Sequence, residues 1–190
     1  MRRSLPFILG AAVVAVLVIG LLQTSSGGEK DDGPKFSLQA ALAQLKGAPE
    51  PLAALHDQPS ELLPEAEFKT RLKALKGHPV VVNKWAAWCG PCRAEFPVFQ
   101  RLSTRLGKDV AFVGLNSFDN RDNAEEFLGS FPVPYPSFVD PDEKLARSIG
   151  APTIFPITVF YRADGKRAYV HQGPYETDAD LLADIERYAR

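Results

Sequence analysis

Cys89 and Cys92 are the only cysteines among the 190 residues, and they share one run, AAWCGPCRAEFP, from Ala86 to Pro97. A Cys-x-x-Cys pair can close a structural bridge, contribute to a metal site, or trade electrons by disulfide exchange with another protein. A disulfide scaffold needs several bridges spread along a short chain, which a single pair cannot supply. A zinc site needs further ligands, and the three histidines, His56, His78 and His171, are scattered without ligand spacing. No metal is therefore expected. A bridge this short also adds little to a chain long enough to bury a full core. Exchange remains, and it requires a thiolate attacker with a second sulfur in reach.

The elements around the pair meet that requirement. The run PVVVNKWAA, from Pro79, has the β-branched character of a buried central strand and leads directly into the cysteines. A helix is expected to begin at the motif, so Cys89 faces unpaired backbone N–H groups and the positive end of the helix dipole, both of which favour the thiolate. Cys89 is the expected attacking thiol. Cys92, one turn further on, is placed to resolve the mixed disulfide. Pro91 suits the first helical turn, where its missing N–H has no intrahelical partner, while Pro97 is expected to kink the helix. Gly90 and Pro91 set the redox poise, and a Gly-Pro pair is the one found in reducing thioredoxins, at about −270 mV.

Further elements follow from periodicity and punctuation. Phe36 to Lys46 reads as a short helix stopped by Gly47 and Pro49, and Glu65 to Lys76 as an amphipathic helix closed by Gly77. The intervening PLAALHDQPSELL fits either an extended segment or a turn. DVAFVGLNS is a second buried strand and RDNAEEFLGSF a helix. A proline-punctuated loop with a short strand follows, and then EKLARSIG as a short helix. ITVFYRADGKRAYVHQG reads as a hairpin turning at Asp164-Gly165, and TDADLLADIERYAR as a closing helix capped by Thr177. This order implies an α/β fold, a mixed sheet with helices on both faces. With Cys-x-x-Cys at the first strand-to-helix junction, the pattern is that of a thioredoxin fold.

The segment VVVNKWAAWCGPCRAEFP resembles the active-site segment of the membrane-tethered TlpA/ResA-like thiol-disulfide oxidoreductases of the thioredoxin superfamily. The resemblance implies that Trp88 precedes the attacking Cys89 and that Glu95 is the acidic residue following the motif. Asn83 stands where cytoplasmic thioredoxins carry a buried aspartate, so Glu95 is the expected proton acceptor, against the alternative of a solvated helix glutamate. Arg93 is expected on a solvated helix face. In APTIFPITVFYRADGK the spacing from Pro156 to Asp164-Gly165 resembles the family's cis-proline, strand and turn. A cis Phe155-Pro156 bond would bring backbone beside Cys89, where a substrate's extended chain could pair. Pro152 is the competing candidate for that role.

Composition bounds the setting. A formal net charge of −1 and the lack of an aromatic-interleaved basic run exclude a case for nucleic acid. Arg2 and Arg3 precede an 18-residue uncharged run, Leu5 to Leu22. That is long enough for a membrane helix with the following chain on the outer side, and the absence of an Ala-x-Ala site favours a retained anchor over a cleaved signal peptide. Residues 23–35 read as a flexible linker and 36–190 as the thioredoxin-like domain. The expected protein is thus a thiol-disulfide oxidoreductase outside the cytoplasmic membrane. Its only redox group is the Cys89-Cys92 disulfide. Its substrates are disulfides of exported proteins, such as apocytochrome c, and its electrons come from a membrane donor protein. The competing functions are an oxidant of folding proteins and a non-catalytic adaptor.

Overall fold

The computed structural model describes residues 36–151 and 153–189. The Leu5–Leu22 run, the 23–35 linker and Pro152 lie outside the described residues, and among the described residues no helix is long and apolar enough to cross a membrane. The chain opens with α1 (Leu38–Leu45), whose first turn is capped by the Ser37 hydroxyl accepting from Ala40 N–H. The stretch that the sequence left open resolves into a single helical turn, α2 (Ala53–His56), and a two-residue strand, β1 (Leu62–Leu63). The expected helix from Glu65 starts as a 3-10 turn over Glu65–Glu67 and is α-helical from Phe68 to Ala74 (α3).

Next come β2 (Val80–Trp85), α4 (Gly90–Leu106), β3 (Ala111–Ser117), α5 (Arg121–Ser130), β4 (Ser137–Asp140) and α6 (Lys144–Ser148). The hairpin β5 (Ile157–Tyr161) and β6 (Arg167–Gln172) precedes α7 (Asp178–Asp184), which widens into a π-helical turn, Ile185–Ala189, where the sequence suggested one uniform helix. Helix α4 runs unbroken through Pro97. At the hairpin, Gly165 takes φ +81, and Asp164 accepts from Lys166 N–H, as an Asp-Gly turn requires.

The six strands form one mixed sheet in the order β1-β4-β3-β2-β5-β6. The first four are mutually parallel, β5 is antiparallel to β2, and β6 is antiparallel to β5. Strand β2 is central and buried at all six positions, which explains its β-branched sequence. Alternation along β2 sends Val81, Asn83 and Trp85 to one face and Val80, Val82 and Lys84 to the other. Each face carries its own core. Under α4, α5 and α7, Trp85, Phe96 and Phe127 pack ring against ring at 4.6 to 5.3 Å. Beneath the opposite face, Leu52, Leu55, Phe68 and Leu145 cover the sheet. Gly114 lies between Asn83 and Ser137 in the sheet, and a Cβ there would collide with Ser137 and Trp85 Nε1. That vacancy lets the Trp85 indole reach Ser137 Oγ at 3.1 Å.

Candidate active site

Strand β2 ends at Trp85, and Ala86 to Trp88 turn the chain into α4, with Cys89 as its N-cap in extended conformation. Cys89 Sγ accepts from Cys92 N–H at 3.1 Å, the contact through which a helix N-terminus stabilises a thiolate. The two sulfurs are bonded to each other. They are unequally sheltered: Cys92 is fully buried, whereas Cys89 retains 4% exposure and sits beside Trp88, which is 56% exposed. Gly90 and Pro91 are both exposed, and no neighbour would meet a Cβ at Gly90. The residues between the cysteines are thus open to a partner.

Trp88 joins the motif to the other expected segment. Its ring packs on Phe155 at 4.9 Å, and the Phe155-Pro156 peptide is cis. On its other side Trp88 meets Phe118 at 6.4 Å and donates from Nε1 to Phe118 O at 2.9 Å. Phe118, with φ +49 and 64% exposure, is an unusual backbone conformation for a bulky residue. Ile154, next to Phe155, is also exposed, so apolar side chains gather about Trp88, the residue preceding the outer sulfur. The next residue, Asp119, holds the turn from below. Its Oδ2 accepts from Ala87 N–H at 2.6 Å and from Asn116 at 2.9 Å.

Glu95 lies three residues beyond Cys92 on the buried face of α4, where side chains at that spacing start about 5–6 Å apart. It is no solvated helix glutamate, since its exposure is zero. Asn83 Nδ2 donates to Oε1 at 2.7 Å, and Tyr175 N–H donates to Oε2 at 3.2 Å. Burial pushes its pKa up to about 8 despite the lowering effect of these two hydrogen bonds. No cation is among the causes of that shift. Such a carboxyl can take and return a proton near neutral pH. Arg93 is exposed, as expected of its helix face, but its guanidinium rests over Phe127 and Phe131 at 5.0 and 5.2 Å rather than standing free in solvent.

Several participants had no sequence signal. Lys84 points to the face opposite Asn83, is fully buried, and meets Glu143 at 2.7 Å. Its Nζ also lies 3.8 Å from the centre of the Phe155 ring and 3.4 Å from Ile154 O. The segment before Pro156 is thereby tied to the strand that carries the cysteines. Glu143 sits at φ +54, a conformation no residue pattern announces. A lysine inside the otherwise strand-like run VVVNKW is the single trace of this pair in the sequence. His56 is instead occupied structurally, its ring nitrogens 2.9 Å from Pro134 O and 3.0 Å from Gly107 O. Among the described residues, no group of three or more His, Cys, Asp or Glu converges as a metal site would require.

Known proteins match this arrangement. The Redoxin family model matches residues 34–185. The thiol:disulfide interchange protein CycY of Rhizobium leguminosarum bv. viciae is 37% identical over 128 residues, covering 64% of this chain and 67% of that protein. The thiol:disulfide interchange protein DsbE of Escherichia coli K12 is 31% identical over 192 residues, covering 98% of this chain and 94% of its own. Among solved structures, a thiol:disulfide interchange protein of Chlorobium tepidum, described as a thioredoxin family protein, aligns with a TM-score of 0.56 at 25% identity, covering 62% of this chain and 84% of that one.

Proposed function

This chain belongs to the Redoxin family and is a thiol-disulfide oxidoreductase, and on that premise we propose that it reduces disulfides of exported proteins from a tether on the outer face of the cytoplasmic membrane. The observation that carries this reading is the unequal burial of the bonded pair, with the reachable sulfur at the N-cap of α4. In the reduced protein, the Cys89 thiolate attacks a substrate disulfide. One substrate sulfur leaves as a thiol after taking a proton, and a mixed disulfide joins Cys89 to the other. Cys92 then gives its proton to Glu95 and attacks Cys89, closing the Cys89-Cys92 bond and expelling the second substrate sulfur as a thiolate that takes a proton from solvent. Two electrons pass to the substrate, and a membrane electron-donor protein returns them to the pair. No cofactor beyond the redox-active disulfide is required.

Trp88, Phe155 and Pro156 receive the substrate chain, and Phe118 and Ile154 extend that apolar surface. Asn83 supports Glu95, while Gly90 and Pro91 set the poise in the reducing direction. Residues 1–22 anchor the protein and 23–35 give the domain reach. Apocytochrome c, whose haem-attachment thiols must be reduced, fits as a substrate. The test is the reduction potential of the pair together with trapping by Cys92→Ser. A value of about −270 mV, with mixed disulfides to exported proteins through Cys89, is expected. A value of about −120 mV would make the protein an oxidant, and a lack of any adduct would favour a static bridge.

A further inference from the structure

Among the described residues, the buried side-chain atoms without a hydrogen-bond partner are Asn83 Oδ1, Tyr135 OH and Thr158 Oγ1. Buried polar atoms are rarely left unmade, because each costs about 1–3 kcal/mol. These three are not scattered. Asn83 already holds Glu95, and Thr158 is its direct cross-strand neighbour, so both side chains leave the same face of the sheet beneath α4. Tyr135 belongs to the same core, and its hydroxyl pKa is raised by burial first and by the Glu95 charge second.

The row continues outward. Thr158 is paired in turn with His171 on edge strand β6. His171 stacks on Tyr175 at 4.1 Å, and Tyr175 N–H is the second donor to Glu95. His171 Nδ1 lies 3.6 Å from Asp184, which accepts from Tyr175 OH at 2.6 Å. The imidazole is only partly covered and lines an open groove of about 620 Å³, bordered also by Gly173, Pro174 and Asp180. Asn83, Thr158 and His171 are successive cross-strand neighbours and therefore form a polar line from the buried carboxyl to solvent on one face of the sheet.

We propose that Thr158 and His171, with one ordered water held by Asn83 Oδ1 and Thr158 Oγ1, form the route by which Glu95 exchanges its proton with solvent. The water takes the proton from Glu95 and gives one to the Thr158 hydroxyl. The Thr158 hydroxyl, turning toward its cross-strand neighbour His171, passes its own proton to that ring, which releases it into the groove. No bond other than O–H and N–H changes, and no electrons move. The route rests on Glu95 being the proton acceptor of exchange. The groups facing Glu95 are Asn83 from β2, Tyr135 from the segment before β4, Tyr175 ahead of α7, and Cys92 on its own helix. Those facing His171 are Asp180 and Asp184 on α7, Tyr175, and Tyr169 on its own strand. Burial lowers the His171 pKa while the two aspartates raise it, so at neutral pH the ring is free to take a passing proton.

The test is steady-state turnover of a model disulfide by the full chain from pH 5 to 9, in H2O and D2O. The variants are Thr158→Val, Thr158→Ser, His171→Phe and Glu95→Gln. Valine keeps the shape and removes the hydroxyl, while phenylalanine keeps the stack on Tyr175 and removes the ring nitrogens. Thr158→Val and His171→Phe are expected to slow turnover below pH 8 by roughly five-fold to tenfold, to raise the solvent isotope effect, and to show smaller losses as pH rises. Thr158→Ser should match the unaltered protein. A merely structural role would move neither the pH profile nor the isotope effect. If both substitutions leave the two readouts unchanged while Glu95→Gln slows exchange, the route is wrong and the role of Glu95 stands. Were Glu95→Gln also unchanged, the role of Glu95 would fall with it. Should Thr158→Val not fold, His171→Phe and Thr158→Ser decide, and an impaired serine variant would overturn the route.

Discussion

Asn83 and Lys84 are consecutive residues on one strand, yet they organise two opposite uses of a buried glutamate. On one face Glu95 is met by an amide and a backbone N–H, and no cation is among the causes of its shift. On the other, Glu143 is met by the full charge of Lys84 at 2.7 Å. A carboxyl held by dipoles alone keeps a labile proton, because burial penalises its charged form without a compensating countercharge. A carboxyl answered by an ammonium serves instead as a fastener. The alternation of the strand thus separates the buried carboxyl beneath the thiols from the clamp that ties the Phe155-Pro156 segment to the strand.

Breaking the clamp should have the largest effect. Lys84→Met leaves Glu143 as a buried charge without its partner, and unfolding by denaturant should show a loss of about 3–5 kcal/mol. Adding Glu143→Leu should return most of it, since two apolar groups no longer need each other's charge. On the other face, Glu95→Gln should fold well. Stopped-flow measurement of the resolving step should fall by about 100-fold near neutral pH, equivalent to about 2.7 kcal/mol in the barrier. If Glu95→Gln instead unfolds the protein and Lys84→Met chiefly slows exchange, the division of labour is reversed.

The pH dependence of stability sharpens the contrast. With the Glu95 pKa raised from 4.5 to about 8, the folded state holds the proton more tightly than the unfolded one. Its stabilising contribution is present below pH 4.5 and is lost as pH rises through 8. Thermal melts of the oxidised protein should therefore decline across that window, and Glu95→Gln should flatten the decline. A smaller effect is expected far from both glutamates. Thr177→Ala, which removes the side-chain cap of α7, should cost about 1 kcal/mol with no change in the pH profile.

How much of this was legible in the sequence depended on distance along the chain. The strand into Cys89, the Asp164-Gly165 hairpin and the Thr177 cap rest on neighbours within a few residues, and each stands where its local signal placed it. The carboxyl at Glu95 carried a readable spacing from Cys92, but its burial depended on Tyr175, 80 residues away. Lys84 and Glu143 are 59 residues apart, and no periodicity couples them. Strand β1 was illegible because two residues carry no alternation, and it exists through its pairing with Ser137 and Phe138. Phe118 and Glu143 adopt left-handed backbone that glycine would have announced and these residues do not.

A raised carboxyl pKa beneath the thiols is what sets Glu95 apart from the ion-paired Glu143. Carbon-13 NMR of glutamate-labelled oxidised protein, with Glu95→Gln identifying the resonance, measures it directly. The Glu95 carboxyl is predicted to titrate with a midpoint near 8, and a midpoint near the ordinary value of 4.5 would contradict the account.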